Sequence, residues 1–479
     1  MVIGGPIIGG SALYNEKTQT YSFTAGESEN SSDTDQFQYL FKQVAGDFII
    51  TANLKFIGAG ENTPGEIGLM IKKSEEKNAA QVSATLRRNG STSFQWREMG
   101  KNSGESPKNE IEALKRKYEI LQLERISNKI IMRAAHPGEP LQIIGTRTIK
   151  DLNEGVLVGL YIASSEKNAV KAEAWNVRID KPVPESYDPN KQGWIACRLE
   201  IMDIETRKRK VIYTQKGRFE APNWMPDGEK LLFNMDGSLY TISVEGGEVS
   251  KFDTGFADNL NNDHGISLDG KMLAFSHHRE SKPGYGSTVY VMPMAGGTPK
   301  LITEDTPSYW HGWAPGNDTV AYVATRKDNT TFDIYKKSVH GGKEIALTNT
   351  KHGEHVDGSE YSPDGKYIYY NGSASGTMQL WRMKPDGTQK EQLTFDENNN
   401  WFPHISPDGK WIVYISFLPN IPVNDHPSYK RVTLNLMPAG GGVPKVIAYL
   451  YGGQGTINVP SWAPDSKHFA FVSNSGEKK

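Results

Sequence analysis

The chain lacks both a second cysteine and a long apolar run. It contains a single cysteine among 479 residues, Cys197, so an intrachain disulfide is excluded. We interpret Cys197 as a small buried apolar residue rather than a catalytic thiol. No apolar run approaches the ~18–20 residues of a membrane span. The first residues, MVIGGPIIGGSALYNEK, also lack the basic and apolar regions of a signal peptide. If the protein is exported, we expect this chain to be the mature form with an added Met.

A surplus of charge and the common catalytic motifs are absent as well. The 54 Lys and Arg residues nearly balance the 56 Asp and Glu residues, which gives a net charge of −2. This balance argues against a general nucleic-acid or anionic-membrane binder. No G-x-S-x-G elbow, P-loop, dinucleotide-binding glycine motif or H-E-x-x-H motif occurs. What the chain does have is 48 glycines and 10% aromatic residues, which favours a protein made of many hairpins.

One turn recurs six times in the second half of the chain. The copies are WMPDGEKLLF at 224–233, ISLDGKMLAF at 266–275, WAPGNDTVAYV at 313–323, YSPDGKYIYY at 361–370, ISPDGKWIVY at 405–414 and WAPDSKHFAF at 462–471. Pro, Asp and Gly are turn residues, and the aromatic and β-branched residues that follow predict a strand. The copies lie about 42–57 residues apart, close to the ~40–50 residues of a propeller blade.

A second, glycine-rich turn lies between successive copies of the first. It occurs as MAGGTPK at 294–300, VHGGKE at 339–344, KPDGT at 384–388 and PAGGGVP at 438–444. Two turns per repeat predict four strands, A to D, and therefore a β-propeller of six blades. The last repeat ends after two strands. We therefore expect the early hairpin at 194–215 to supply strands C and D of the final blade and to close the ring.

From about Gly217 to Asn474 the chain resembles the TolB-like six-bladed propellers, since SPDGKYIYYNGS and NWFPHISPDGKWIVYIS match their repeat. The resemblance implies a protein of the cell envelope, periplasmic or secreted. It does not choose a function, because this propeller serves binding proteins, lyases and peptidase accessory domains.

Residues 1–182 lack the repeat and instead alternate polar and apolar residues, as in FIITANLKF at 48–56 and VLVGLYI at 156–162. This alternation predicts a β-sandwich. The stretches DQFQYLFKQVAGDFIITANLKF at 35–56, EIGLMIKKS at 66–74 and VGLYIAS at 158–164 resemble concanavalin-like jelly-roll domains. That resemblance implies a glycan site on the concave sheet, with candidates Gln36, Gln38, Gln95, Trp96, Arg97 and Tyr161. The alternative is that these side chains are ordinary strand residues facing a core.

We therefore predict an all-β chain of two domains. Residues 1–182 form the sandwich, the proline-rich segment 183–193 is a linker, and residues 194–479 form the six-bladed propeller. We expect the two domains to fold separately and the protein to be a monomer.

Propeller topology places the loops between blades and the loops between strands B and C at one end. Eight of the eleven histidines map to that end. Because strand A is innermost, residues just before each PDG-type turn should converge on the axis. The predicted ligand-binding residues are Glu220, Asn262, Asp263, His264, His277, His278, Trp310, His311, Asp357, Trp401, His404 and Asn458. The competing interpretation is that these are ordinary loop residues and that the histidines cap neighbouring strands.

Three functions remain open. The first is a binding or scaffold protein whose polar pocket holds a glycan or a peptide. The second is a metal-dependent carbohydrate-active enzyme, a polysaccharide lyase or hydrolase. It is similar in kind to the oligogalacturonate lyases, and a divalent metal on His264, His311 and His277 would serve it. The third is a propeller that binds only another protein, such as an envelope partner.

Overall fold

The computed structural model describes residues 2–3, 10–25, 37–58, 64–98, 109–164, 170–279, 286–326 and 330–476. The chain divides into two compact units, Met1–Pro182 and Val183–Lys479. Each unit is built from antiparallel sheets, as the predicted all-β class requires.

The first unit is a two-sheet sandwich. In spatial order, the strands of one sheet are Val2–Ile3, Phe37–Val44, Val156–Ala163, Glu66–Lys72, Gln81–Arg87, Thr92–Arg97 and Glu110–Glu112. Those of the other sheet are Gln142–Thr148, Lys129–Ala135, Ile120–Ile126, Phe48–Ile57, Val170–Asp180, Thr20–Ala25 and Ser11–Asn15. A short 3-10 helix spans Lys150–Leu152. Alternation along the strands directs Ile67, Leu69 and Ile71 into the shared core, which confirms the predicted sandwich.

The sandwich does not gather the predicted glycan-binding residues on one face. Ser83 pairs with Gln95 and Val82 pairs with Trp96, so these neighbours face opposite sides of the sheet, and Trp96 packs against the core. The Arg97 guanidinium donates to the backbone oxygens of Lys77 and Ala79. The buried Tyr161 hydroxyl lies 2.6 Å from the Thr85 hydroxyl. Gln38 is buried as well, and Gln36 lies outside the described residues. Most of this set therefore has structural partners.

The second unit carries six blades in the described part of the chain. The first five have the strands A to D that the two turns predict. Blade 1 comprises Phe219–Trp224, Lys230–Met235, Ser238–Ser243 and Ser250–Lys251. Blade 2 comprises Leu260–Ile266, Met272–His278, Ser287–Pro293 and Lys300–Leu301. Blade 3 comprises Ser308–Trp313, Thr319–Thr325, Phe332–Ser338 and Ile345–Ala346. Blade 4 comprises Val356–Tyr361, Ile368–Gly372, Gln379–Met383 and Glu391–Gln392. Blade 5 comprises Asn399–Ile405, Trp411–Phe417, Lys430–Pro438 and Lys445–Gly452.

Blade 6 joins the two ends of the unit. Strand B, His468–Ser475, pairs with Ala196–Asp203, which in turn pairs with Arg209–Lys216. The innermost strand is reduced to a bridge between Trp462 and Phe469. Across the blade, Arg209 forms two bonds to Glu200, at 2.7 and 3.2 Å, and Ser473 donates to the same carboxylate. The predicted closure by the early hairpin is confirmed.

The proline-rich segment predicted as a linker packs within the second unit. Val183, Tyr187 and Trp194 lie against a small cluster that contains Tyr429 and Tyr451. The Val183 amide donates to the Tyr451 hydroxyl at 2.9 Å. Asp188 caps a one-turn helix, Pro189–Gln192. The segment is therefore an ordered part of the propeller unit. Cys197, as predicted, is buried, and burial raises the pKa of its thiol to about 12.

Candidate functional site

The innermost strands of blades 1 to 5 all contain a β-bulge a few residues before the PDG-type turn. In blade 4 the regular pairing breaks between Asp357 and Glu360, and in blade 5 it breaks between Trp401 and His404. The other three blades break at equivalent places. A bulge locally re-aims side chains. Gly358 and Phe402 occupy the same position of the repeat, and both have positive φ, at 62° and 54°.

A cavity of about 330 Å³ opens at the end of the propeller where the loops between blades emerge. Its walls come from blades 2 to 6. The lining residues are Asn261, Asn262, Asp263, Tyr309, His311, Val323, Phe332, His355, Asp357, Phe402, His426, Gln454 and Asn458. We call this space the polar cavity. Five of the twelve predicted residues line it: Asn262, Asp263, His311, Asp357 and Asn458.

Asp357 lies among three imidazoles. His311 Nε2 is 2.7 Å from one carboxylate oxygen, and the Nε2 atoms of His355 and His426 lie 3.8 and 3.9 Å from the other. Burial opposes ionisation of both groups. Even so, His311 holds the pKa of Asp357 well below its usual range, and Asp357 raises the pKa of His311. Asp357 and His311 therefore form a buried ion pair.

Asp263 is the second carboxylate of the polar cavity. One of its oxygens accepts a 2.6 Å hydrogen bond from the side chain of Asn261. Burial raises the pKa of Asp263 to about 7; Asp357 and Glu220 act in the same direction, and His311 opposes them. Asp263 and Asp357, two carboxylates of one cavity, thus differ in protonation at neutral pH.

Aromatic and amide side chains pack and hydrogen-bond around the polar cavity. The Trp401 ring is fully buried and meets the His426 ring edge-on, with centroids 4.4 Å apart. Phe402 stacks on His311, with centroids 6.3 Å apart. In the same cavity, Asn458 donates to Gln454 and accepts from the Gly455 amide. Trp401 thus packs behind the cavity wall, whereas Asn458 lines the polar cavity itself.

Other predicted residues lie close to the axis but have structural partners. His404 pairs with Glu360 at 2.7 Å and with the backbone oxygen of Ile457 at 2.7 Å, so both of its ring nitrogens face acceptors. Glu220 is buried and pairs with Arg218 at 2.7 Å, and burial raises its pKa. Their side chains connect strands and do not line the polar cavity.

His264 and Trp310 are also buried away from the cavity. His264 Nδ1 lies 2.9 Å from the Asn262 backbone oxygen, and burial lowers the pKa of His264 to about 4. The Trp310 ring fills the space above Gly265, where a Cβ atom would collide with it. Both side chains therefore pack the interior near blade 2.

The histidines proposed as metal ligands do not form a ligand set. His277 packs edge-on against Phe256 and Tyr290, and burial lowers its pKa and that of His278. His311 is bound to Asp357. Within the described ranges, no three His, Cys, Asp or Glu side chains are arranged to hold a metal ion.

His355 and His426 line the polar cavity at the end of the propeller to which the sequence assigns them, but the predicted site omits both. Tyr309, Phe332 and Phe402 carried no polar signal, and Gln454 lies ten places before its turn proline, beyond the positions that the repeat selects. His355 precedes the inner strand of blade 4, so its position was the available clue. His426 comes from the long loop between strands B and C of blade 5, which contributes to the cavity from the side.

Comparison with known proteins supports the propeller fold of the second unit. A sequence profile of the TolB beta propeller domain matches residues 195–357. An uncharacterized protein of Agrobacterium fabrum is 44% identical over 283 residues, which cover 58% of this chain and 93% of that protein. A solved structure of a proposed TolB from Agrobacterium tumefaciens has 43% identity and a TM-score of 0.55, and covers 58% of this chain and 98% of that one. The Tol-Pal system protein TolB of Francisella tularensis is 23% identical over 228 residues, with 46% of this chain and 50% of that protein covered.

A six-bladed propeller closed by its own two ends, with PDG-type turns, defines the class of this protein. The chain belongs to the TolB-like propeller family. Among the described residues, no helix is long and apolar enough to cross a membrane.

Proposed function

We propose that the protein is an extracytoplasmic binding protein that holds a glycan or a peptide in the polar cavity. The observation that carries this proposal is the convergence of five blades on one concave space that contains Asp263, His311 and Asp357. Ligand sites are usually concave, with a few polar groups set among aromatic walls, and occupy ~300–1,000 Å³. At about 330 Å³, the polar cavity suits one sugar unit or one or two peptide residues.

The chemistry of the walls favours a ligand rich in hydroxyl or amide groups. Asn262, Gln454 and Asn458 offer both donors and acceptors, and Asp357 offers acceptors only. Phe402 and Tyr309 supply aromatic surface beside them. Such polar groups can hydrogen-bond the hydroxyl groups of a sugar or the amide groups of a peptide, and the aromatic rings can pack against the apolar face of either. The TolB-like family supports an envelope location, periplasmic or secreted, which belongs to the same proposal.

The proposal is tested with an array of glycans and short peptides probed with the wild-type protein and with Asp357→Asn. This variant keeps the shape of the side chain and removes its charge. We expect ligands of the wild-type protein to lose most of their signal with the variant. Equal signals for both proteins would place the binding surface elsewhere and refute the polar cavity as the site.

The second candidate is a carbohydrate-active enzyme, a lyase or hydrolase, that uses the same cavity. It is favoured by Asp263, whose pKa of about 7 suits a general base, beside His311, a cation that could face a sugar carboxylate. Because the three predicted histidine ligands do not come together, we assign no step to a metal. Incubation with uronic-acid polymers tests this candidate. Absorbance of an unsaturated product that disappears with Asp263→Asn would support it, and no absorbance with any polymer would exclude the lyase.

A further inference from the structure

Four buried carboxylates lie near the propeller axis, and three of them have a nitrogen partner at the same distance. Asp357 faces His311, Glu220 faces Arg218 and Glu360 faces His404, each at 2.7 Å. Asp263 differs from all three. No ion pair within 4 Å involves Asp263 among the described residues, and its side chain accepts a hydrogen bond from the uncharged amide of Asn261.

We propose that the ligand of the polar cavity presents a protonated amine to Asp263. This inference rests on the proposed binding function and names the chemical group that the site selects. The amine belongs either to an amino sugar or to the amino terminus of a peptide, and both present the same ammonium group. The ligand would thus give Asp263 a cationic nitrogen partner, of the kind that the other three carboxylates have within the protein.

The physical reason is the cost of burying an unpaired charge. A buried carboxylate without a cation either stays protonated or remains poorly solvated. A ligand hydroxyl could donate a hydrogen bond to Asp263, but it would leave the negative charge uncompensated. An ammonium group does both, and charge-assisted hydrogen bonds are about twice as strong as neutral ones.

The charges around Asp263 are compatible with a cationic guest. His311 of blade 3 partly offsets the charge of Asp263, but its ring nitrogen pairs with Asp357 of blade 4 at 2.7 Å. Glu220 of blade 1 adds negative potential, and its pairing with Arg218 limits that contribution. The nearest unmatched charge is therefore the one that Asp263 carries when it ionises.

The proposal predicts a particular pH dependence. Burial raises the pKa of Asp263 to about 7, so the carboxylate is largely protonated at pH 6 and largely ionised at pH 8. Affinity for an amine should rise from pH 6 to about pH 7.5 and should be accompanied by proton release from Asp263. It should fall above about pH 8, because an α-amino group loses its proton at about pH 7.7–8.0.

The test uses two matched pairs of probes and calorimetric titration of the full chain at pH 7, where an α-amino group is largely protonated and Asp263 is partly ionised. One pair is a glucosamine oligosaccharide and its N-acetylated form. The other is a short peptide with a free amino terminus and the same peptide acetylated. We expect the free amine of at least one pair to bind roughly tenfold more tightly or better than its acetylated partner. The pair that discriminates identifies the source of the amine.

Two variants of equal charge change complete the experiment. Asp263→Asn should abolish the preference for the free amine. Asp258→Asn, at an exposed position of the loop that precedes the same strand, should keep it. Equal affinities within both pairs, absence of binding by either amine, or a preference that survives in Asp263→Asn would overturn the inference. Array ligands that bind without regard to amines but depend on Asp357 would leave the proposed function intact.

Discussion

The two ends of the propeller axis hold cavities of nearly equal size and different walls. Imidazoles and carboxylates line one, and mostly indoles and prolines, with Asn223 and Glu360 among them, line the other. The polar cavity measures about 330 Å³. The cavity at the end with the PDG-type turns measures about 320 Å³, and we call it the apolar cavity. Its walls include Trp224, Trp313, Tyr361, Trp462, Pro226, Pro363, Pro407 and Pro464. The two cavities therefore cannot be distinguished by volume, and the side chains that line them make the difference.

The difference follows from the repeat. The residue two places before each turn proline or its equivalent is Trp, Ile or Tyr in every blade. Two of these indoles tie neighbouring inner strands together: Trp313 donates to the Gly265 oxygen and Trp462 to the His404 oxygen, both at 2.9 Å. Three or four residues earlier in the strand the chemistry changes from blade to blade, from Glu220 to Asp263 to Asp357. Residues that recur in every blade therefore hold the ring together, whereas residues that differ between blades supply the charged groups near the axis.

The largest effect is expected from deletion of residues 194–215. Without the hairpin, strand His468–Ser475 loses its partner Ala196–Asp203 and the ring acquires open edges. We expect loss of cooperative unfolding of the propeller, measured by thermal denaturation. A soluble variant with a sharp transition would show that closure is dispensable.

Trp313→Ala should be the most destabilising single substitution at the apolar end. The indole is buried at 4% exposure and holds the Gly265 oxygen. Its removal should lower the free energy of unfolding by ~3–5 kcal/mol, measured by urea denaturation. Leu268→Ser, at an exposed residue of the same cavity, serves as the control and should change stability by less than ~0.5 kcal/mol.

Asp263→Asn should stabilise the propeller at high pH. Burial raises the pKa of Asp263 to about 7, whereas the carboxyl of the unfolded chain ionises at about pH 3.9. Ionisation of the unfolded chain therefore lowers the free energy of unfolding as pH rises from about 4 to 7. The variant should gain on the order of 4 kcal/mol at pH 8 and nothing below about pH 4. Urea denaturation at both pH values measures the difference, and a variant that is less stable at pH 8 would contradict the burial of this carboxylate.

Asp357→Asn should destabilise the propeller by about 1–2 kcal/mol. The lowered pKa of Asp357 means that its contribution is lost as pH falls through the folded value, whereas the raised pKa of His311 means that its contribution is lost as pH rises. The effect should therefore be largest between about pH 4 and 6.5. Denaturation at pH 5 and pH 9 tests this, and equal losses at both would argue against the ion pair.

The smallest effect is expected from separating the two units. We propose that residues 183–479 fold alone, because the two compact units have separate cores. Expressed alone, this fragment should melt within a few degrees of the propeller transition in the full chain. It should also keep the binding that depends on Asp357. An insoluble fragment would show that the units depend on each other.

Much of the fold was predictable because turn residues act locally. Pro, Asp and Gly fix the turns whatever surrounds them, so the blades and the closing hairpin followed from spacing. The site was predictable only in part. Of the predicted ligand-binding residues, Asp263, His311 and Asp357 line the polar cavity, whereas His264 and His404 lie in inner strands as well but face other partners. The bulge in each inner strand breaks the two-residue alternation, so counting positions cannot show which side chain faces the cavity.

The affinity of the strongest array ligand for two variants, one from each end of the axis, tests most directly whether function lies in the polar cavity. Calorimetric titration would compare wild-type protein with His311→Gln and with Leu268→Ser. We predict at least a roughly tenfold loss of affinity for His311→Gln, because the variant leaves the Asp357 carboxylate of the polar cavity without its cationic partner. We predict unchanged affinity for Leu268→Ser. The reverse result, with binding lost at Leu268 and kept at His311, would place the ligand in the apolar cavity and contradict the assignment.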